Sequence, residues 1–223
     1  MKIIDLSAYL REHSYPGRGI LLGRSADNKH AVIAYFIMGR SANSRNRVFT
    51  PVAEDNGIMT EAYDPSKMED PSLIIYHPVR YVEKTGDTVV TNGDQTDTIV
   101  EKSDFVAGCM AREYEPDKPN YTPRISSVLH PDGSFELSIL KRARDGRCAR
   151  EFFSYEGTDG GCGYFISTYQ GDGNPLPSFA GEPIHVGVGS PEEVWAALNP
   201  DNKVSLYTNV EGEVRIFNKN LGD

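Results

Sequence analysis

The chain has 223 residues, of which 39% are hydrophobic and 25% charged, a composition typical of a globular protein with one sizeable core. No apolar run approaches the roughly 20 residues that a membrane-spanning helix needs, and the charged N-terminal segment does not resemble a signal peptide. We therefore expect a cytoplasmic protein without a membrane partner. The net charge of −9 argues against nucleic acid as a partner, because such binding depends on lysine and arginine contacts with phosphate.

Cysteine and histidine are too few and too scattered to indicate a metal site. The three cysteines form no CxxC pair, and the five histidines show no HxH or HExxH spacing. No phosphate-binding loop or dinucleotide-binding glycine motif is present. We expect no metal and no cofactor, although ligation of Mg²⁺ by carboxylates alone stays open. No linker or change of composition divides the chain, so residues 1–223 are predicted to form one domain.

Positive charge is concentrated near the N-terminus. Residues 1–50 contain eight basic and three acidic side chains, a balance of +5 in a chain whose net charge is −9. Six of the eight are arginines, whose planar guanidinium groups suit bidentate binding of phosphate or carboxylate. This pattern favours a small anionic ligand, although the composition fits an arginine-rich solvated face about equally well.

In chain order, short apolar and β-branched runs alternate with turn residues, as is typical of mainly antiparallel sheets. Strands are predicted over 19–23, 31–38, 72–82, 88–91, 134–140, 151–155, 164–169, 204–207 and 214–217. Helices are predicted over 5–13, 104–113 and 191–199, the last with Ser190 as its cap and Glu193 three residues later. Many strands with few helices indicate an α+β fold in which two sheets pack together with helices outside.

Three polar segments contain side chains suited to binding a ligand. Residues 39–47 directly follow a predicted strand and include three arginines and two asparagines. Residues 91–98 offer hydroxyl, amide and carboxylate groups around an Asn-Gly turn, although a plain polar hairpin fits them equally well. In residues 112–124, prolines at 116 and 119 end the preceding helix, so Tyr114 and Glu115 are predicted in its last turn.

These segments, in this order, resemble the archaeal-type inosine monophosphate (IMP) cyclohydrolase family. The resemblance rests on YPGRGILLGRS at 15–25, AYFIMGRSANSR at 34–45, YHPVRYVEKTGDTVVTNGDQTDTI at 76–99, YEPDKPNYTPRI at 114–125 and YFISTY at 164–169. The first 14 residues and much of 171–223 lie outside it. It implies a four-layer α-β-β-α sandwich similar to the N-terminal-nucleophile hydrolases. The nucleophile itself is missing, because position 2 is lysine.

The resemblance implies a reaction that closes the second purine ring. The carboxamide nitrogen of a formylated aminoimidazole carboxamide ribonucleotide attacks the formyl carbon, and loss of water gives IMP. Both reacting groups lie on one imidazole, so positioning and proton transfer suffice without a cofactor. The resemblance places the catalytic residues at Arg45, Tyr76 and Glu115. Our hypothesis is that Arg45 stabilises the developing oxyanion or orients the carboxamide, and that Tyr76 and Glu115 share proton transfer. Candidate substrate-binding residues are Arg18, Arg40 and Arg124 for the 5′-phosphate, and Asn92, Thr96, Asp97 and Thr98 for the ribose and base.

Several alternatives stay open at this stage. Arg47 lies two residues after Arg45, so a small difference in loop length would exchange their roles. Tyr76 lies in the apolar run SLIIYHPV, where a core tyrosine with one hydrogen-bond partner is the plain interpretation. A non-catalytic or redirected nucleotide-binding homologue is the alternative function, because a fold persists when its chemistry changes. The family also implies a homo-oligomer, either a dimer or a tetramer.

Overall fold

A computed structural model describes residues 3–52, 57–68, 71, 74–210 and 212–223. Short 3₁₀ turns occur at Pro65–Lys67 and Lys219–Leu221. Within the described residues no helix has the length and apolar character needed to cross a membrane. In chain order the elements are β1 (Ile4–Asp5), α1 (Leu6–Glu12), β2 (Arg18–Arg24), β3 (Ala31–Met38), α2 (Ala42–Arg45), β4 (Arg47–Val52), β5 (Gly57–Ala62), β6 (Val79–Val82), β7 (Asp87–Thr91), α3 (Gln95–Lys102), α4 (Phe105–Met110), β8 (Arg124–Leu129), β9 (Phe135–Arg142), β10 (Cys148–Tyr155), β11 (Cys162–Ser167), β12 (Ile184–Gly187), α5 (Pro191–Ala197), β13 (Lys203–Val210) and β14 (Glu213–Asn218).

The strands of the described residues form two sheets of seven strands each. The first sheet has the order β1-β12-β11-β2-β3-β13-β14, and the second has the order β10-β9-β8-β7-β6-β5-β4. Among the described pairings only β1 with β12 is parallel. The second sheet is a meander, whereas the first combines strands from both ends of the chain. The predicted α+β class with two large, mainly antiparallel sheets is confirmed.

The two sheets face each other across the main hydrophobic core. Ile20 and Leu22 of β2 and Tyr35 of β3 belong to one buried cluster with Phe49 and Ile125 of the second sheet. The rings of Tyr35 and Phe49 stack with their centroids 5.6 Å apart. Side chains alternate between the faces of a strand, so every second residue of these strands points into this core. Each such fully buried side chain stabilises the fold by about 1.5–3 kcal/mol relative to exposure.

Helices cover the outer faces of both sheets. Leu6 of α1 and Trp195 of α5 are buried in a second cluster with Phe36, which points outward from the first sheet. Ile99 of α3 and Phe105 of α4 form a third cluster on the outer face of the second sheet. The order of layers is therefore helices, sheet, sheet, helices.

Two helix predictions had different outcomes. Helix α5 begins as predicted, because Ser190 and Glu193 form a reciprocal capping box, with N–H to oxygen distances of 2.8 and 3.2 Å. Helix α4 ends at Met110, so the prediction that Tyr114 and Glu115 lie in its last turn was wrong. The Glu115 N–H donates to the Thr122 carbonyl at 2.9 Å instead of continuing the helix. Glu115 is therefore free of the helix dipole.

The segment before β6 also differs from its prediction. Of the strand predicted over 72–82, residues 72 and 73 lie outside the described residues, and only Val79–Val82 is a strand. Pro78 lacks the N–H that a central strand would donate. Residues 95–98, for which a polar hairpin was weighed, form the first half of α3. Strands β4, β5, β8 and β12 were not predicted.

Candidate functional site

A polar cavity of about 270 Å³ lies at one end of the two-sheet stack. Its walls come from the start of β2, from the crossover that leads from β3 through α2 to β4, and from the segment between α4 and β8. The crossover carries the chain from the first sheet into the second, so side chains from both sheets meet here. The charged lining residues are Arg18, Arg40, Arg47, Glu115 and Asp117.

Two of these arginines form no salt bridge within the described residues. Arg18 begins β2 and is half-buried, and Arg47 begins β4 and is 5% exposed. Within the described part of the chain neither guanidinium group forms a salt bridge, and the Nε atom of each is buried without a hydrogen-bond partner. A buried charge without a partner is costly, because the desolvation of the ion is not offset. The pair therefore favours an anion in this cavity.

The same arrangement perturbs the proton affinities of the cluster. Burial lowers the pKa of Arg47, and the positive charge of Arg18 lowers it further. Burial would also lower the pKa of Arg18, but nearby acidic groups, led by Tyr15 and Glu115, together raise it. Burial raises the pKa of Glu115, although Arg18 and Arg124 oppose this rise. A carboxyl group with a raised pKa is suited to exchanging protons nearer neutral pH.

Tyr76 lies beside the arginine pair but is not among the residues that line the cavity. It is 5% exposed, and its hydroxyl oxygen is 3.0 Å from that of Tyr35. Its phenol is close enough to affect the pKa of both Arg18 and Arg47. Tyr76 therefore has one hydrogen-bond partner, as expected of a core tyrosine, and it also lies close to the charged residues Arg18 and Arg47.

Arg45 lies outside the cavity. It is exposed, its Nε donates to the Gly39 carbonyl at 2.9 Å, and its Nη2 donates to Asn202 Oδ1 at 3.2 Å. These bonds hold the crossover against the loop after α5. The sequence left a choice between Arg45 and Arg47. In the structure Arg47 lines the cavity together with Glu115, whereas Arg45 does not.

Arg40 lies at the exposed mouth of the cavity, where it already has partners. Its Nη1 donates to Asp172 Oδ1 at 2.6 Å and to the Gly173 carbonyl at 2.9 Å. The guanidinium carbon lies 5.0 Å from the centroid of the Tyr15 ring. A ligand that binds Arg40 competes with an exposed ion pair, which costs little to break.

Arg124, another candidate for the phosphate, is not among the lining residues. Its Nη1 contacts Gln95 Oε1 at 2.6 Å and Asp94 Oδ1 at 2.8 Å, and its Nε donates to the Glu113 carbonyl at 2.9 Å. The same Nη1 lies 4.0 Å from Glu115 Oε1. Arg124 is thus placed to hold the segment that contains Glu115.

The four candidates in residues 91–98 do not line the cavity either. Asn92 Oδ1 accepts the Ile125 N–H at 2.8 Å, and Thr96 Oγ1 lies 2.7 Å from Thr91 Oγ1, so both side chains are used to hold the turn against β8. Asp97 Oδ1 accepts from Arg80 at 3.1 Å on a separate surface depression. Thr98 is half-buried on α3.

Several cavity residues were not among the candidates from the sequence, and three of them are hydrogen-bonded to one another. Tyr169, Thr122 and Asp117 line one wall, where the hydroxyl groups of Tyr169 and Thr122 lie 2.6 Å apart. All three occur in strings that carry the resemblance, YFISTY and YEPDKPNYTPRI, but nothing in those strings indicates that they meet. Within the described residues no group of three or more His, Cys, Asp or Glu side chains is placed to hold a metal ion.

The ring of Tyr169 is positioned by Gly17, which gives a first testable prediction. Gly17 has a φ of +78°, and a Cβ there would lie 2.3 Å from Thr168 Oγ1 and 2.5 Å from Tyr169 Cδ2. We expect Gly17→Ala to displace this ring and to lower the free energy of unfolding by about 1–3 kcal/mol, measured by urea denaturation. Gly171→Ala is the control, because its Cβ would meet no described atom within 4 Å. Equal effects of the two variants would contradict this role of Gly17.

Fold and cavity together define the class: an α+β protein of two facing sheets with a small polar cavity lined by three arginines. The sequence model of a family described as IMP cyclohydrolase-like protein matches residues 15–214. The chain belongs to this family, as its motifs indicated, and the match extends well beyond the strings that carried the resemblance. A search of the curated proteins gave no matching relative.

Proposed function

We propose that the protein is an IMP cyclohydrolase of purine biosynthesis, which closes the ring of the formylated aminoimidazole carboxamide ribonucleotide with loss of water. One observation carries the proposal: the half-buried Arg18 and the buried Arg47, neither of which forms a salt bridge within the described residues, share a cavity with a buried carboxyl group whose pKa is raised. The family supplies the substrate class, and the cavity supplies positive charge for a phosphorylated ligand and a group able to exchange protons.

In this proposal the arginines bind different negatively charged groups of the reacting nucleotide. Arg18 and Arg40 bind the phosphate, which is a dianion with three strong acceptor oxygens. Arg47 takes the role first assigned to Arg45 and stabilises the oxyanion that develops on the formyl oxygen. A guanidinium group already held in place and shielded from water stabilises this charge more than a solvated one does.

Glu115 is the proposed acid of the first step. The carboxamide nitrogen forms a bond to the formyl carbon, the carbonyl π electrons move to oxygen, and protonated Glu115 gives that oxygen its proton. In the second step the hydroxyl takes up the proton that the carboxamide nitrogen released on attack and leaves as water, while the formamido nitrogen loses its own proton, which returns to Glu115. Tyr76, hydrogen-bonded to Tyr35 beside the arginines, is proposed to share in this proton transfer.

The purified protein, supplied with the formylated nucleotide, tests the proposal. We expect IMP to accumulate, as followed by absorbance and verified by chromatography. The alternative, a nucleotide-binding homologue without this activity, predicts that IMP binds in calorimetry but does not form. Binding without turnover would therefore replace the proposed function by that alternative.

The remaining sequence-based expectations are proposals of the same kind. We propose one domain over residues 1–223, a cytoplasmic location, no cofactor and assembly into a dimer or tetramer. We also propose that the stack of two sheets is similar to that of the N-terminal-nucleophile hydrolases, which the facing sheets and outer helices support. Light scattering tests the assembly, and a molar mass of one chain would contradict it.

A further inference from the structure

A chain of hydrogen bonds runs along one wall of the cavity. The Tyr169 hydroxyl lies 2.6 Å from Thr122 Oγ1, and the Thr122 hydroxyl in turn donates to Asp117 Oδ2. The backbone N–H of Thr122 donates to Asp117 Oδ1 at 2.6 Å. Tyr169 and Thr122 are 1% and 2% exposed, whereas Asp117 is half-buried. The chain therefore connects a buried phenol to a carboxylate nearer to solvent.

The direction of these bonds follows from counting protons. An ionised carboxylate only accepts, and Asp117 accepts twice from Thr122. The Thr122 hydroxyl has a single proton, which it gives to Asp117, so its bond with Tyr169 must be donated by Tyr169. The proton of the Tyr169 phenol thus points toward Thr122 Oγ1. Toward a ligand this oxygen offers only lone pairs.

The ring of Tyr169 is held firmly enough for this direction to matter. It stacks on the Tyr15 ring with centroids 6.1 Å apart, and Gly17 lies against its edge. Burial raises the pKa of Tyr169 to about 12, although Arg18 and the bond to Thr122 act to lower it. The phenol therefore stays protonated at neutral pH, and it can accept a new proton only by passing its own to Thr122.

We infer that Tyr169 is a further catalytic residue, whose oxygen accepts the carboxamide proton while Thr122 and Asp117 carry a proton away. The inference rests on the proposed function. As the carboxamide nitrogen bonds to the formyl carbon, its N–H bond breaks and the electron pair stays on nitrogen. Tyr169 takes this proton and gives its own to Thr122, which gives its own to the Asp117 carboxylate. One proton moves from nitrogen to Asp117, and no group is oxidised or reduced.

The same path in reverse completes the cycle. When the hydroxyl leaves as water, Asp117 returns its proton through Thr122 and Tyr169 to the departing oxygen, and Glu115 recovers the formamido proton. Glu115 and Asp117 then act as an acid and a base on opposite sides of the reaction. Their environments differ, because Glu115 is buried, whereas Asp117 is half-buried and accepts two hydrogen bonds from Thr122.

Steady-state kinetics of Tyr169→Phe and Thr122→Val, with Thr122→Ser as the matched control, test the inference. Each of the first two variants removes one hydroxyl of the relay, so we expect kcat to fall about 10²–10³-fold with KM changed less than about threefold. Thr122→Ser restores the hydroxyl and should recover most of the kcat that Thr122→Val loses. The double variant should be no worse than the worse single one, because both act on one path. A solvent isotope effect on wild-type kcat should be reduced in Tyr169→Phe.

The outcomes separate this inference from the proposed function. Wild-type turnover is measured first, and if no IMP forms, both fall. If the wild type turns over and Tyr169→Phe matches its kcat, the relay alone is overturned. Additive losses in the double variant, or equal losses in Thr122→Ser and Thr122→Val, also overturn it, because they indicate a packing role. If Thr122→Val does not fold, the kcat of Tyr169→Phe alone tests the relay.

Discussion

Replacing Arg47 with methionine is expected to slow the reaction, because the group that stabilises the oxyanion is lost, and to make the empty protein more stable. Arg47 is buried without an ion pair in the described structure, so its charge opposes folding until an anion binds. Methionine keeps much of the side-chain length and is apolar. We expect the free energy of unfolding to rise by about 1–3 kcal/mol. Loss of charge-assisted hydrogen bonds worth about 1.5–3 kcal/mol each should lower kcat/KM at least about 100-fold.

Arg45→Met is the matched control for this prediction. Arg45 is exposed and outside the cavity, so its loss should change the free energy of unfolding by less than about 1 kcal/mol and leave kcat/KM within about threefold of wild type. Urea denaturation without nucleotide gives the stability, and steady-state kinetics with the formylated nucleotide gives kcat/KM. If Arg45→Met loses activity and Arg47→Met keeps it, the role returns to Arg45.

Glu115→Gln is expected to lower kcat about 10²–10⁴-fold with KM nearly unchanged, because the amide cannot exchange the proton. The change also has a thermodynamic consequence. Burial raises the pKa of Glu115 in the folded protein above its unfolded value of about 4.3. The stability that this raised pKa contributes is therefore fully present below the unfolded pKa and is lost as the pH rises through the folded pKa.

The free energy of unfolding, measured from about pH 4 to 8, checks this second consequence. The wild type should lose stability with rising pH over the interval between the two pKa values, and Glu115→Gln should lose less. Glu113→Gln is the control, since Glu113 is exposed and contributes its backbone carbonyl to Arg124. A folded Glu115→Gln protein with wild-type turnover would eliminate Glu115 as the acid.

Local patterns predicted the elements whose structure is determined locally. Strand β3 has the predicted bounds, because an uninterrupted apolar run is flanked by turn residues on both sides. Helix α5 was predicted from its capping box, which depends on residues three apart. Helix α3 was missed because it buries the polar side chains of Gln95 and Thr96, so its inner face lacks the apolar periodicity of a helix.

Some residues of the candidate site were likewise predictable from local sequence, and others were not. Glu115 and Arg18 line the cavity, as expected of residues in the motifs that carry the resemblance. The choice between Arg45 and Arg47 depends on a one-turn helix, which turns one arginine outward before the chain enters β4. Asn92 looks like a ligand-binding residue in the sequence. In the structure, however, its amide group donates to the Pro123 carbonyl and accepts from the Ile125 N–H. Such partners are distant in the sequence, so the local spacing of residues does not reveal them.

The position of the cavity between the sheets has a consequence for the energetics of the whole fold. Arg18 belongs to the first sheet and Arg47 to the second, so one anion bound by both is a non-covalent cross-link between two halves that are otherwise joined mainly by apolar contacts. Separation of the halves then requires release of that anion, which at 100 times its dissociation constant adds about 2.7 kcal/mol to the work of unfolding. The metabolite that this protein is proposed to transform would thus also determine what fraction of the molecules is folded.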